Sequence, residues 1–212
     1  MSEMLFKNIL VVSPHTDDGE LGAGGFISNQ ISKGSKVTFL TFSIAEDSVP
    51  DGFDKNILEI EASSSASTLG VCSKNIYIHK FPVRRLCEYR QNILDILIEH
   101  KKNNYDLILC PSSEDIHQDH STVHNEVVRA YKNTTIFGYD LPWNNLRDDQ
   151  VCFYEISEID LENKYKALKC YESQSFRRYT SLDFLQSLAI VRGAIVGKPL
   201  VEKFEVIRLI LD

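Results

Sequence analysis

The chain has 212 residues, 43% hydrophobic and 25% charged, enough for one sizeable core and short for two independent domains. A formal net charge of −7 argues against nucleic acid or an anionic membrane as the main partner, because both need a basic surface, and Arg84-Arg85 and Arg177-Arg178 are pairs rather than stripes. The five cysteines (Cys72, Cys87, Cys110, Cys152, Cys170) are scattered, odd in number and without Cys-x-x-Cys spacing, so they indicate neither a zinc finger nor a disulfide framework and read as small core residues in a reducing compartment.

Met1 to Lys7 has no apolar core and so does not read as a signal peptide, and no apolar run approaches the ~20 residues of a membrane span; a cytoplasmic protein is expected. Lys7 to Ser13 reads as a strand buried on both faces, because its apolar residues run together. From Glu20 the spacing of Leu21, Phe26, Ile27 and Ile31 predicts a helix stopped by Gly34, and Lys36 to Phe42 a second strand, which makes a βαβ unit. Gly22-Ala23-Gly24-Gly25 lacks the Gly-x-Gly-x-x-Gly of a dinucleotide loop and begins past the strand end, so it is not read as one. Ser43 to Asp54 reads as an acidic loop, Ile57 to Leu69 as a helix ended by Gly70, Asn75 to His79 as a third strand and Leu86 to Lys102 as an amphipathic helix. Tyr105 to Cys110 is a fourth strand, Pro111 to Asp119 a polar loop, Ser121 to Tyr131 a helix, Thr134 to Tyr139 a fifth strand and Asp140 to Asp149 a loop. Beyond Val151 the alternation loosens; Leu161 to Tyr171 and Leu182 to Val191 read as helices and Lys203 to Leu211 as a last strand.

The stretch Pro14-His15-Thr16-Asp17-Asp18 follows the first strand, at the edge where open α/β sheets place ligands. His15 and Asp18, three residues apart, can close on one metal ion and leave Asp17 as a base; the plainer alternative is a helix cap beside an ordinary loop histidine. A catalytic zinc usually takes three protein ligands, and Asp115-Ile116-His117-Gln118-Asp119-His120, after the fourth strand, reaches the same rim. His120 and His124, four apart on a helix, are a rival pair, although His124 reads better as a solvated helix residue and His79 and His100 as structural. Two such motifs at one sheet edge leave little room for the capping alternative.

The sequence resembles the zinc-dependent N-deacetylases of the PIG-L or LmbE-like family. The two motifs carry the resemblance most specifically; Lys164-Tyr165-Lys166-Ala167-Leu168, Tyr171-Glu172-Ser173-Gln174 and Arg192-Gly193 with Gly197, Glu202 and Phe204 extend it over nearly the whole chain. It implies a single Rossmann-like α/β domain over residues 1–212, a mostly parallel sheet with helices on both faces and the metal site at the carboxyl ends of the strands. It further implies His15, Asp18 and His120 as ligands of Zn2+, or of Fe2+ or Co2+, which such a mixed site discriminates poorly. Asp17 matches the general base, and His117 the residue that steadies the tetrahedral intermediate or protonates the leaving amine. Asp119 joins the catalytic group as the partner that orients a ring. The implied reaction is removal of an N-acetyl group from an amino sugar or its conjugate, giving acetate and a free amine, in bacterial glycan or surface-polysaccharide biosynthesis. The rival readings are an amidase acting on a non-sugar acyl amine and a binding module without turnover.

Two departures bear on the substrate. Many members carry a Thr-Asp-Gly-type turn after strand two and an arginine early in the next helix; this chain has Ser43-Ile44-Ala45-Glu46 and Leu58. Asp115 stands where some sugar-thiol members have a tyrosine, and with Arg84, Trp143 and Asn144 it is nominated as a substrate contact. Lys164, Ser173, Gln174 and Arg192 are expected to brace the pocket, and Tyr171 and Tyr179 to pack. Homo-oligomerisation stays open, with no exposed apolar helix stripe evident in the sequence.

Overall fold

A computed structural model describes residues 6–147 and 150–210. The predicted Met1 to Lys7 segment, the end of the 140–149 loop and the last residue of the predicted final strand therefore lie wholly or partly outside the described residues. Seven strands form one sheet in the order β3-β2-β1-β4-β5-β7-β6. Strands β1 (Asn8–Ser13), β2 (Lys36–Thr41), β3 (Ile76–Ile78), β4 (Leu107–Pro111) and β5 (Thr135–Tyr139) are parallel; β7 (Val201–Arg208) runs antiparallel to β5 and to β6 (Val151–Glu155).

The central strands are buried on both faces, and alternate residues of β1 enter different cores. Ile9 and Val11 pack with α1 (Asp18–Ser32), α2 (Ile57–Thr68), α5 (Glu158–Leu168) and α6 (Leu182–Val196). Leu10 and Val12 pack with α3 (Arg90–His100) and α4 (Gln118–Ala130) on the other face. Because the chain leaves β1 toward β2 on one side and β4 lies on the other, the strand order reverses between β1 and β4. A crevice opens at their carboxyl ends, the expected ligand position in such a sheet.

The glycine-rich segment forms the middle of α1. A Cβ on Gly22 would lie 2.6 Å from Tyr139 Cδ2, and one on Gly24 2.7 Å from Lys164 Cγ. The missing side chains thus let α1 settle onto β5 and α5, which accounts for a run that propensity alone disfavours. A capping box between Ser157 and Asp160 starts α5 three residues earlier than hydropathy predicts. Strand β6 was not predicted; it is a half-buried edge strand without clean alternation.

Helix α6 departs most from expectation. It runs to Val196 rather than Val191, and only Leu185, Ala189, Arg192 and Gly193 are buried. Ile190, Val191, Ile195 and Val196 are exposed, so the chain does carry an apolar helix stripe. From Leu188 to Val196 every residue but Arg192 is apolar or glycine, so hydropathy cannot divide this half of the helix into inner and outer faces, which is why the sequence conceals the stripe. Among the described residues no helix is long and apolar enough to cross a membrane.

Candidate metal and active site

The cluster is assembled by two strand-to-helix turns. Asp17 is the residue before α1 and Asp18 its first; the Asp17 carboxylate makes no capping bond, whereas Asp18 Oδ2 accepts from the His15 backbone N–H at 2.8 Å. After β4, His117 caps α4, its Nδ1 accepting from Asp119 N at 3.2 Å, so Asp119 and His120 belong to the first helical turn rather than to the loop.

Three atoms converge. His15 Nδ1 lies 3.2 Å from Asp18 Oδ2 and 3.2 Å from His120 Nε2, and His120 Nε2 lies 3.3 Å from Asp18 Oδ2. The far nitrogen of each ring faces a carboxylate: His15 Nε2 is 2.9 Å from Asp119 Oδ2, and His120 Nδ1 is 2.7 Å from Asp115 Oδ2. A carboxylate accepts only, so in the neutral rings those nitrogens carry the protons and the converging nitrogens present lone pairs. Two lone pairs and a carboxylate oxygen held together call for a cation. Metal–ligand bonds of about 2.0–2.1 Å in a tetrahedron put ligand atoms about 3.3 Å apart, so the donor set fits a divalent ion. His117 is close as well: one donor atom each of His15, His117 and His120 lie within 4.8 Å of one another.

The electrostatics agree. Burial disfavours charge on His15 and His120, but Asp18 with Asp119 outweighs it at His15, and Asp18 with Asp115 at His120. Both rings therefore bind protons tightly when no metal competes, with pKa values raised to about 9 and about 10. Burial would raise Asp18, yet the two imidazoles hold it well below the usual carboxylate range. His117 is shifted down, by burial and then by the neighbouring rings, and stays neutral. Asp17 is pushed up to about 6 by burial and by Asp18, with His15 and Arg177 opposing.

The expected residues fall into two groups. His15, Asp17, Asp18, His117, His120, Arg84, Trp143 and Asn144 line one cleft of about 380 Å³. Asp115 and Asp119 do not. Asp115, nominated for the substrate, is buried behind His120 and also accepts from His117 N at 2.9 Å, which corrects that expectation: the β4–α4 turn folds it inward. Asp119 is buried too, and besides His15 it accepts from the backbone N–H of Arg84 at 2.6 Å and of Leu86 at 3.1 Å, tying the β3–α3 loop to the site. Arg84 adopts a left-handed backbone (φ 63°) there. His124 is not solvated; it is half-buried and donates to the Pro111 carbonyl at 2.9 Å, outside the cluster.

Trp143 stacks on Tyr179, ring centroids 4.2 Å apart, so one face is already covered. Lys164 pairs with Glu202 at 2.6 Å, Ser173 binds Glu61 and Arg192 pairs with Asp140; all are buried and none of them lines the cleft. Thr16, Ala45, Ser48, Val83 and Arg177, not nominated for the site from sequence, also line the cleft, as do Leu58, Tyr179 (expected to pack) and Gln174 (expected to brace the pocket). Gln174 Oε1 accepts from Arg177 Nε at 2.6 Å, three residues on.

Fold and cluster together define a Rossmann-like protein with a metal-competent histidine–aspartate site at the switch point of its sheet. The chain matches the PIG-L family, GlcNAc-PI de-N-acetylase, over residues 10–131 and belongs to it. None of the curated proteins matches. Among solved structures, N,N'-diacetylchitobiose deacetylase from Pyrococcus horikoshii is similar at 20% identity and TM-score 0.79, covering 97% of this chain and 87% of its own. The zinc-inhibited form of teicoplanin deacetylase is similar at 14% and 0.77 (93% and 97%). A 4-carboxy-2-hydroxymuconate hydratase from Pseudomonas putida follows at 17% and 0.76 (97% and 98%). At these identities the likeness is one of fold.

Proposed function

We propose that the chain is a metal-dependent N-deacetylase that releases acetate from an N-acetylated amino sugar or its conjugate in bacterial glycan biosynthesis. The observation that carries this reading is the converging triad of His15 Nδ1, Asp18 Oδ2 and His120 Nε2, with Asp17 beside it in the same cleft and free of any capping bond. Two of the three solved neighbours described above are deacetylases, which supports it.

His15, Asp18 and His120 would hold a divalent ion, zinc in the first instance, which would supply Lewis acidity and a water nucleophile near pH 7. Asp17 takes the proton of the attacking water, a task suited to a carboxylate whose pKa is raised to about 6. With His117 Nδ1 occupied by the Asp119 N–H, neutral His117 carries its proton on Nε2 and donates a hydrogen bond to the oxyanion, while the proton that Asp17 has taken from water passes on to the leaving amine. Asp115 and Asp119 keep the ligand rings in tautomer and orientation. Arg84, Trp143, Asn144, Gln174 and Arg177 contact the substrate, and Leu58 leaves an apolar wall where many members have an arginine. The thiols of Cys72 and Cys87, exposed and unpaired, favour a cytoplasmic setting.

Acetate release from a panel of N-acetylhexosamine conjugates, measured on chelator-treated protein and after adding back one equivalent of zinc, cobalt or iron(II), tests the reading. Metal-restored release is expected. Release from N-acyl amines lacking a sugar, and from no sugar conjugate, would favour the amidase; metal binding without any release would overturn catalysis altogether.

A further inference from the structure

We infer that the metal cleft takes its amino sugar as a phosphate-linked conjugate, with the phosphate held by Arg84 and Arg177; this rests on the deacetylase reading above and adds the class of its substrate. Four charged side chains line the cleft: Asp17, Asp18, Arg84 and Arg177. Asp18 is committed to His15 and His120. Arg85, Arg90, Arg129 and Arg192 each pair with a carboxylate, whereas among the described residues no carboxylate lies within ion-pair distance of Arg84 or Arg177. On a chain with 30 acidic and 23 basic residues, two guanidinium groups left without an acidic partner in one cleft call for an anionic ligand. The acidic side chains of the 46–54 loop do not oppose one there, because that loop contributes only Ser48 to the cleft wall.

Both arginines are held by contacts that do not neutralise them. Arg177 Nε donates to Gln174 Oε1 at 2.6 Å, and its guanidinium carbon lies 5.3 Å and 5.6 Å from the ring centroids of Phe176 and Tyr179. Arg84 is fixed through its backbone: its N–H donates to Asp119 and its carbonyl accepts from Gln118 Nε2. Its φ of 63° is a conformation that glycine adopts at least cost, and an arginine there brings a side chain to the cleft wall. A single guanidinium fork fills the two oxygens of a carboxylate; two forks suit the larger set of oxygens on a phosphate or diphosphate. From Arg177 the wall continues through Tyr179 to Trp143, stacked 4.2 Å apart, with Trp143 still 40% exposed. A ring carried on the far side of the phosphate therefore has a flat aromatic surface to lie on.

Trp143 is the only tryptophan of the chain, so its fluorescence reports binding in the cleft independently of turnover. Zinc-loaded and chelator-treated protein are each titrated with N-acetylglucosamine 1-phosphate, uridine diphosphate N-acetylglucosamine, N-acetylmuramic acid and neutral N,N'-diacetylchitobiose; the metal-free arm separates arginine contacts from phosphate bound to the ion. In both arms the two phosphates are expected to bind at least about 10-fold more tightly than the neutral sugar. Arg84→Gln and Arg177→Gln should each lose most of that margin with circular dichroism unchanged. Tighter binding of the uridine diphosphate form assigns a nucleotide carrier lying on Trp143, and equal binding of the two assigns a bare sugar phosphate. Equal affinity for neutral and phosphorylated sugars, a preference for the carboxylate of N-acetylmuramic acid, or a phosphate margin that survives both substitutions overturns the inference. Acetate release by the zinc-loaded protein is scored separately. Release without a phosphate preference overturns this inference alone, and a phosphate preference without release overturns the deacetylase reading alone.

Discussion

At the scale of single residues, two adjacent carboxylates are separated by environment. Asp18 is pinned between two imidazoles and cannot serve as a base, whereas Asp17 points into the cleft with its pKa raised to about 6. Asp17→Asn should therefore keep a full equivalent of metal and lose at least about 100-fold in kcat, read by acetate release alongside metal analysis. Asp115→Asn, which leaves His120 without its carboxylate, should instead weaken metal binding by about 10–100-fold, read by chelator competition. Glu20 offers a pH prediction on stability. Burial raises its pKa to about 8, although Ser65 Oγ (2.7 Å) and Tyr171 OH (3.0 Å) bond Oε1, and buried Oε2 has no partner. With the folded pKa above the unfolded one, the folded state holds the extra proton between about pH 4.5 and 8, so stability falls as pH rises through that window. Glu20→Gln keeps the shape without the titration; urea unfolding should show it more stable than wild type by up to a few kcal/mol at pH 8 and nearly equal at pH 4.5.

At the scale of elements, the fold depends on α1 lying close to the sheet, and Gly22 sets that distance. Gly22→Ala places a methyl 2.6 Å from the ring of Tyr139, whose hydroxyl is anchored to the Val12 carbonyl, so the ring cannot easily yield. A net loss of about 1–3 kcal/mol in denaturant unfolding is expected, despite the better helix propensity of alanine. The metal turns begin at Asp18 of α1 and the Gln118 end of α4, so displacing α1 should also weaken metal binding. Most of these elements are legible in sequence: five strands and the intervening helices stand within a few residues of their predicted positions, because buried parallel strands and amphipathic helices leave strong local patterns. Strand β6 and the outer half of α6 are not. An edge strand without alternation and a half-helix that is apolar from Leu188 to Val196 except at Arg192 carry no periodic signal.

At the scale of the whole molecule, the metal site joins both halves of the sheet: His15 and Asp18 follow β1, whereas His120 with Asp115 and Asp119 follows β4. Metal should therefore stabilise the whole fold. At about 100 times its dissociation constant the ion adds roughly 2.7 kcal/mol, an increment worth about 5–10 °C in Tm for a chain of this size. Differential scanning calorimetry with and without chelator reads the shift; an unchanged Tm would mean that the triad does not hold a metal in the native state.

The sequence alone determined the parallel α/β plan, the sheet edge that carries the chemistry and the donors gathered there, because hydropathy patterns and turn motifs are local properties. Only the tertiary structure decided which carboxylates touch the rings. Asp115 moved from substrate contact to the back of His120, and Arg177 came into the cleft from a turn 160 residues beyond Asp17. Such roles depend on the side to which a turn folds and on what distant segments pack beside it. The outer face of α6 belongs with them: its residues show how apolar the helix is, and only packing shows which side the protein leaves uncovered.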